Sequence, residues 1–274
     1  MEICISDVLK ENNDIMGVSA PSRCILCGHC KAVCPENAIE LRGLDPDEFE
    51  PAPEKTSLFS PDRLQTFFRS RRSLRKYKNR PVEKETIEKI IEAGRFAPTG
   101  GNRQPVEHVV VHTPKMMETV LEITVETLAD MAVHVKKKYE QEKKNGTRLS
   151  VRSMREKFYA DLWLKIKEQH EKGVDKLFYH APVLIVSHVN SAMATTQGVD
   201  AGIASAHMVL MAEALGLGTC FCGFFVLVVE QNRKLKQMLK IPEKNRTHLS
   251  FMAGYPDVNF LRLTGRNRAK VTWL

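Results

Sequence analysis

The sequence lacks any long hydrophobic run. Its longest apolar stretch lies around residues 224–229, far short of the roughly 20 residues that cross a bilayer as a helix. The chain also opens without the apolar segment of a signal peptide. We therefore expect a soluble protein of the reducing cytoplasm, with no membrane partner.

A nucleic-acid-binding pattern is also missing. The formal charge is +8, but the basic residues are spread along the chain and interleaved with 33 acidic residues, and no aromatic-rich basic motif stands out. A phosphate-bearing cofactor or an acidic electron-transfer partner explains the positive charge as well. The sequence therefore gives no reason to expect a nucleic-acid partner.

Three other frameworks find no support. A structural zinc site needs a second CxxC or a pair of histidines, and the chain has one such cysteine cluster. Seven cysteines are an odd number, and 274 residues with 43% hydrophobic content can form a core without disulfides. No G-x-G-x-x-G follows a strand and opens a helix, since Gly216, Gly218 and Gly223 close one. A zinc finger, a disulfide framework and a Rossmann nucleotide site are therefore not expected.

One cysteine cluster is present near the N-terminus. Cys24, Cys27, Cys30 and Cys34 have the spacing C-x2-C-x2-C-x3-C, with a proline directly after Cys34. This is the bacterial ferredoxin signature for an iron-sulfur cluster. Gly28 permits the tight bend that three thiolates need to surround one cubane. We expect Cys24, Cys27 and Cys30 to bind a 4Fe-4S cluster.

The fourth ligand is either Cys4 or Cys34. Ferredoxins of this type carry two copies of the motif, and the fourth cysteine of each copy binds the cluster held by the other. Cys4 is followed at +4 and +5 by Val8-Leu9, as Cys34 is followed by Ala38-Ile39. Cys4 then looks like the end of a truncated first copy, whose third cysteine would lie upstream of Met1, and it would complete the cluster. If this repeat is a coincidence, Cys34 is the default fourth ligand.

The rest of the chain predicts an α+β fold in one large domain. Residues 1–44 form a ferredoxin-like domain, residues 45–60 read as a Pro/Glu/Asp-rich linker, and residues 61–274 form the main body. Ser60 and Pro61 begin a helix that buries one apolar face, and a second helix stops before Pro98. Residues 106–111, 182–189 and 249–253 read as strands, and residues 115–172 as largely helical.

Two segments of the body carry a second chemical signal. Arg71, Ser73 and Arg75 alternate, so in an extended segment all three side chains point the same way. Guanidinium groups and a hydroxyl suit a phosphate or a ribityl chain. The segment at residues 97–105, Ala-Pro-Thr-Gly-Gly-Asn-Arg-Gln-Pro, is a loop rich in turn formers and amide side chains.

In this order and at this separation, the two segments resemble the nitroreductase family of flavin enzymes. The family pattern R-x-S-x-[RK]-x-[FY] is similar to residues 71–77, and its A-P-S-x-x-N-x-Q-P loop is similar to residues 97–105. The resemblance continues through residues 180–185, 200–220 and 254–256, and covers about residues 60–274. It implies a nitroreductase-like sheet flanked by helices, and an FMN held at the interface of a homodimer.

The resemblance also implies roles for single residues. Arg71, Ser73 and Arg75 would hold the ribityl and phosphate groups, and Asn102 would meet the polar edge of the flavin ring. Backbone amides around Cys222 and Gly223 would approach the flavin N5, where the chemistry takes place. At the C-terminal end, Arg266 together with Arg268 or Arg262 would close on the phosphate.

Together the two halves predict an oxidoreductase. A cluster passes one electron at a time, whereas a nitro group or quinone is usually reduced in two-electron steps, and a flavin can join the two. The electrons would come from a ferredoxin-type donor through the cluster, or from NAD(P)H, and pass to a small organic acceptor. The alternatives are an electron-transfer module that serves a protein partner, and a specialised flavin chemistry such as flavin breakdown or dehydrogenation.

Overall fold

The computed structural model describes residues 3–12, 15–53, 60–146 and 148–274. Its main body is an antiparallel sheet of four strands with helices on both faces, which confirms the predicted α+β class. In chain order the strands are β3 (Val106–Val111), β4 (Val183–Asn190), β5 (Gly218–Phe221) and β6 (Asn245–Gly254). Their order across the sheet is β3-β4-β6-β5. Strand β5 was not predicted from the sequence.

Strand β4 is buried along almost its whole length because both of its faces are covered. Leu184 and Val186 belong to one core cluster, and Val183 and Ile185 to the other. An uninterrupted apolar strand fits a sheet that is packed on both sides. The body therefore has three layers, with the sheet in the middle.

The described part of the body contains seven α-helices. They are α2 (Pro61–Ser70), α3 (Lys84–Arg95), α4 (Pro114–Lys144), α5 (Val151–Glu171), α6 (Gln197–Ala214), α7 (Gly223–Gln231) and α8 (Arg233–Met238). Residues of α4, α5 and α7 cover one face of the sheet, and residues of α3 and α6 cover the other. The predicted helical stretch of residues 115–172 is thus two helices, and Ser150 caps the second one by accepting a hydrogen bond from the Ser153 amide at 3.0 Å.

Helix α2 begins as predicted, since Ser60 Oγ accepts a hydrogen bond from the Arg63 amide at 3.3 Å. The prediction that this helix buries one apolar face is wrong for a single chain, because no residue of the helix is fully buried against the described residues. Leu64 and Phe67 are only half-buried, and Phe68 is 48% exposed. The helix lies on the surface, so its apolar positions are covered only in part.

The N-terminal segment contains a hairpin of β1 (Leu9–Asn12) and β2 (Ile15–Val18), followed by the short helix α1 (His29–Ala32). The first part of the predicted linker folds back on this segment. Phe49 packs so close to Gly28 that a Cβ there would lie 3.2 Å from its ring. Residues 54–59 of the predicted linker lie outside the described residues, so the domain boundaries at 44 and 60 stay predictions.

Of the helices that the structure describes, none combines the length and the hydropathy needed to cross a membrane.

Candidate functional site

Four of the candidate cysteines share one cavity in the N-terminal segment. The cavity has a volume of about 330 Å³, and Cys4, Cys24, Cys27 and Cys30 all contribute to its wall. The remaining wall is largely apolar and includes Val8, Leu9, Val18, Ile25, Ile39 and Leu41. A pocket with an apolar wall and several thiols has the donor chemistry of a protein-bound iron-sulfur cluster.

Local backbone geometry brings these cysteines together. Gly28 has φ of +75°, which glycine adopts without a steric penalty, and it is the N-cap of α1, the short helix that carries Cys30. Leu26 also has a left-handed backbone, with φ of +51°, and its side chain lies against Gly43. A Cβ at Gly43 would lie 2.5 Å from Leu26 Cδ1, so a larger residue there would displace the Leu26 side chain.

Cys4 and Cys34 occupy equivalent local settings. The amide of Val8 donates to Cys4 Sγ at 3.4 Å, and the amide of Ala38 donates to Cys34 Sγ at 3.4 Å, each from four residues further along. This equivalence agrees with the half-repeat read from the sequence. The two cysteines differ in one respect, because Cys4 lines the cavity and Cys34 does not.

The environment of Cys4 also favours the form that binds iron. Backbone hydrogen bonds, first from Val8 and then from Ser6, lower the pKa of the Cys4 thiol below its usual value. The thiolate, and not the thiol, is the metal ligand.

The described cysteines do not form a site for a single metal ion. Within the described ranges, no group of three or more His, Cys, Asp or Glu side chains lies close enough together to hold one metal ion. Cluster ligands need not meet at a single point, since the thiolates bind the corners of a cubane.

A second and larger cavity, of about 610 Å³, lies in the body. Its wall is formed by the end of β5 and the start of α7, by the inner side of α5, and by Arg75 and Tyr179. Cys222 and Gly223, two of the residues predicted to lie near the flavin N5, line this cavity together with Arg75.

The predicted phosphate segment is extended and runs beside β5. Ser73 forms a parallel bridge with Thr219, and the Leu74 amide donates to the Thr219 carbonyl at 2.8 Å. Leu74 is buried, whereas its neighbours Ser73 and Arg75 are exposed, which is the predicted alternation. Gly218 makes this approach possible, because a Cβ there would lie 2.3 Å from a Leu74 methyl.

The Arg71 guanidinium has a hydrogen-bond donor that no described residue accepts from. Its Nη1 atom is buried and has no hydrogen-bond partner among the described residues. A buried guanidinium nitrogen without a partner is costly unless an acceptor completes it. The arrangement therefore fits an anionic group, such as the phosphate that the sequence predicts at this residue.

The backbone amides of Cys222 and Gly223, both predicted to approach the flavin N5, differ in whether they are free to donate a hydrogen bond. The Cys222 amide donates to the Ser250 carbonyl at 2.9 Å, so it is already used in the sheet. Gly223 is the first residue of α7, where backbone N–H groups have no partner within the helix. Burial raises the pKa of the Cys222 thiol to about 12, so this thiol stays protonated at neutral pH. These features fit Cys222 as a buried structural residue.

Asn102 lies in a different place from the cavity that Arg75 lines. Its Nδ2 donates to the carbonyl oxygens of Ile25 at 3.0 Å and Leu26 at 2.9 Å, both in the cysteine loop. Both amide hydrogens are thus used, and only the Oδ1 atom is left to accept a hydrogen bond.

The C-terminal arginines lie on an exposed tail. Arg262, Arg266 and Arg268 are all exposed, and Arg72 donates to the Arg262 carbonyl. Arg262 lines a separate cavity of about 250 Å³ together with Arg72 and Phe260. Among the residues described, the wall of the larger cavity includes none of these three arginines.

Tyr179 is a cavity residue that sequence reasoning missed. It has φ of +57° and His180 has φ of +55°, an uncommon conformation for such residues. The buried Asp175 carboxylate holds this turn by accepting hydrogen bonds from the amides of Leu177, Phe178 and His180, each at 2.8 Å. An Asp that begins a turn was the available sequence signal.

The turn places the Tyr179 ring in the cavity, where the Arg75 guanidinium lies 5.9 Å from its centre. Burial raises the pKa of the Tyr179 phenol, and Arg75 opposes that shift in part. Tyr179 is therefore a neutral hydrogen-bond donor in the cavity wall at neutral pH.

Comparisons with known proteins assign both parts of the chain to known sequence families. Residues 68–255 match the sequence model of the nitroreductase family, and residues 20–40 match that of the 4Fe-4S binding domain. The chain is 25% identical over 194 residues to a Methanothermobacter thermautotrophicus protein provisionally named NADH dehydrogenase/NAD(P)H nitroreductase, covering 70% of this chain and 76% of that protein. It is 26% identical over 206 residues to the 4-nitrobenzoate reductase of Pseudomonas putida, covering 69% of this chain and 84% of that one.

A solved structure has the same fold. The nitroreductase with bound FMN from Desulfitobacterium hafniense superposes with a TM-score of 0.57 at 22% identity, covering 77% of this chain and 97% of that one. The match to the family's sequence model extends over more than half of the chain. The protein is an oxidoreductase with a ferredoxin-type segment ahead of its main body, and the chain belongs to the nitroreductase family.

Proposed function

We propose that this protein is an FMN-dependent oxidoreductase that passes electrons from a 4Fe-4S cluster through FMN to a small organic acceptor. The observation that carries the proposal is the presence of two cavities in one chain. One is lined by four cysteines, and the other by Arg75, Cys222 and Gly223, three of the residues that the family resemblance assigns to the flavin. The two matches to family models support the same pairing.

For the cluster, we assign Cys24, Cys27, Cys30 and Cys4 as ligands. All four line the same cavity, and the pKa of Cys4 is lowered toward the thiolate form. Cys34 keeps the equivalent position of the second repeat without facing that cavity. Electrons would enter here from a low-potential protein donor such as ferredoxin.

For the flavin, we assign Arg71, Ser73 and Arg75 to the ribityl and phosphate groups, and the Gly223 amide to the neighbourhood of N5. The orphaned Nη1 of Arg71 and the open space beside Gly223, where a Cβ would meet nothing within 4 Å, support this assignment. FMN exchanges electrons singly or in pairs, so it joins a one-electron carrier to a two-electron acceptor.

The acceptor is a planar aromatic compound such as a nitroaromatic or a quinone. The support is the aromatic wall of the larger cavity, in which the rings of Tyr159 and Phe224 meet edge to face at 5.7 Å. Tyr179 supplies a hydrogen-bond donor to the oxygen atoms of such a compound. The Pseudomonas putida relative is named for reduction of a nitroaromatic acid, which supports the same class.

A second copy of the chain completes the site. Residues 257–274 are exposed throughout, and their apolar side chains include Leu261, which is 80% exposed, and Trp273, which is 90% exposed. Phe68 of α2 adds to the uncovered apolar surface. A homodimer in which these surfaces are covered would bring Arg262, Arg266 and Arg268 to the flavin phosphate. Light scattering of the FMN-loaded protein should give the mass of two chains, and a monomer would contradict this part of the proposal.

Anaerobic reconstitution with iron, sulfide and FMN tests the proposal as a whole. We expect about one flavin and one cluster per chain, and reduction of 4-nitrobenzoate with reduced ferredoxin as donor. Cys27→Ser should lose the ferredoxin-supported rate and keep its FMN. NADH and NADPH as alternative donors show whether the flavin is also reduced directly. A protein that binds FMN but no iron would contradict the proposal.

A further inference from the structure

One side chain joins the cysteine loop to the body. Asn102 Nδ2 donates to the Ile25 carbonyl at 3.0 Å and to the Leu26 carbonyl at 2.9 Å. Ile25 and Leu26 lie between Cys24 and Cys27, which the sequence predicts as cluster ligands. Asn102 itself belongs to the loop of residues 97–105, which carries the family resemblance. The contact therefore connects the two predicted cofactor regions directly.

The chemistry of the contact requires an amide donor. A carbonyl oxygen can only accept a hydrogen bond, and the asparagine amide offers two hydrogens, one for each oxygen. An aspartate has the same shape and can offer none while ionised. Its negative charge would face two carbonyl oxygens instead.

The body holds Asn102 in place. Gly101 and Asn102 have φ of +62° and +51°, a conformation that glycine and asparagine tolerate best. The Gly100 amide donates to Asp200 Oδ1 at 3.1 Å, and Thr196 donates to the same oxygen at 3.1 Å. Asp200 is buried in the first turn of α6. The loop is thus anchored to the core of the body.

The backbone of the cysteine loop places two carbonyl oxygens within hydrogen-bond distance of the Asn102 amide. The left-handed backbone at Leu26 presents two successive carbonyls to one amide, and the fit of Leu26 against Gly43 fixes that turn. A second contact lies nearby, where Arg95 of α3 binds the Glu48 carboxylate through two hydrogen bonds of 2.7 and 3.2 Å. Both sides of the junction are therefore restrained.

We propose that Asn102 is a positioning residue that holds the Cys24–Cys27 loop against the flavin-binding body and so fixes the path of electron transfer. This inference rests on the proposed function. Two one-electron transfers from the reduced cluster, with two protons from solvent, make up the two-electron reduction of the flavin. A low-potential one-electron protein donor reduces the cluster, and dithionite replaces that donor in the test below.

The test compares Asn102→Asp and Asn102→Ala with the native protein, all reconstituted with cluster and FMN. Asn79→Asp is the control, because Asn79 is an exposed asparagine of the body and the change adds the same charge. Hydrogen exchange of residues 24–30 is the first measurement. Each protein is then reduced with dithionite and mixed with 4-nitrobenzoate, and reoxidation of flavin and cluster is followed separately.

Both Asn102 variants should retain FMN and iron, and their residues 24–30 should exchange faster than in the native protein and the control. Cluster reoxidation should slow several-fold, because electron transfer becomes slower as the distance between cluster and flavin grows, while flavin reoxidation stays unchanged. Unchanged exchange and unchanged cluster reoxidation in both variants would overturn the inference. Loss of FMN with unchanged exchange would also overturn it, because Asn102 would then be a flavin ligand.

The failure of the proposed function gives a different result. If the native cluster is reoxidised at the same rate with and without FMN, the electron path through the flavin is wrong. The exchange measurement still tests the role of Asn102 in that case, since it depends on the loop and not on electron transfer.

Discussion

The N-terminal segment and the body differ in how much of their apolar surface is buried. Among the described residues ahead of α2, Val8 is the only buried hydrophobic side chain, whereas the body contains three clusters of buried residues around its sheet. The body can therefore fold on apolar burial alone. The N-terminal segment has too little core, so its cysteine loop depends on the cluster and on its contacts with the body, as small metal-dependent domains do.

Removal of a cluster ligand should have the largest effect, and this effect should be confined to the N-terminal segment. Cys24→Ser should lose nearly all bound iron, because a hydroxyl cannot replace the thiolate in the cubane. Residues 3–53 should then become sensitive to protease, while the thermal unfolding of the body stays the same. Iron analysis, limited proteolysis and calorimetry measure the three effects. A body that unfolds at a clearly lower temperature would show that the two regions fold as one.

The two equivalent cysteines sharpen the comparison within the N-terminal segment. Cys4→Ser should impair the cluster, because Cys4 lines the cavity, and Cys34→Ser should leave it largely intact. The two changes are chemically identical, and the thiols accept matching hydrogen bonds of 3.4 Å. Iron content and the cluster absorption spectrum distinguish them. The reverse result would make Cys34 the fourth ligand and the half-repeat a coincidence.

In the body, the expected effect of a single ligand is smaller. Arg71→Ala should weaken FMN binding by about 10- to 100-fold, since a hydrogen bond to a charged group contributes about 1.5–3 kcal/mol. Arg69→Ala removes the same charge from an exposed position of α2 and serves as the control. Equilibrium dialysis measures the flavin dissociation constant of each. Equal constants for the native protein and both variants would count against Arg71 as a phosphate ligand.

A pH dependence of stability is expected in the body as well. Burial, aided by repulsion from His188, lowers the pKa of His108 from 6.5 to about 4. The unfolded chain therefore takes up this proton first, and the body should lose stability as pH falls from about 6.5 to about 4, by roughly 2–3 kcal/mol at most. His108→Gln should flatten this part of the stability profile in urea unfolding. A profile that stays as steep in the variant would assign the acid sensitivity to another group.

The sequence predicted most helices and strands of the body, but it missed strand β5 and the exposure of helix α2. An apolar run revealed β4, alternation over residues 249–253 revealed the second half of β6, and Ser60 and Pro61 marked the start of α2. Strand β5 has four residues and follows a helix through a glycine turn, so it offered too little periodicity to be recognised. The burial of α2 was predicted wrongly because its apolar positions do not reveal whether a single chain covers them.

The candidate site was predictable where residue type alone fixes the chemistry. The cysteine spacing identified three residues that line the smaller cavity, and of the predicted flavin residues Arg75, Cys222 and Gly223 line the larger one. The contact of Asn102 with Ile25 and Leu26 was not predictable, because it joins residues 76 and 77 positions apart through backbone carbonyls that carry no sequence signal. Tyr179 was missed for a similar reason, since its left-handed turn depends on hydrogen bonds to Asp175.

The central claim is that the two regions exchange electrons within one chain. Its most direct test is electron paramagnetic resonance of the dithionite-reduced protein, frozen at intervals after 4-nitrobenzoate is added, with and without bound FMN. We predict that the signal of the reduced cluster disappears rapidly in the FMN-loaded protein and persists in the FMN-free protein. Equal decay in both samples would contradict the account.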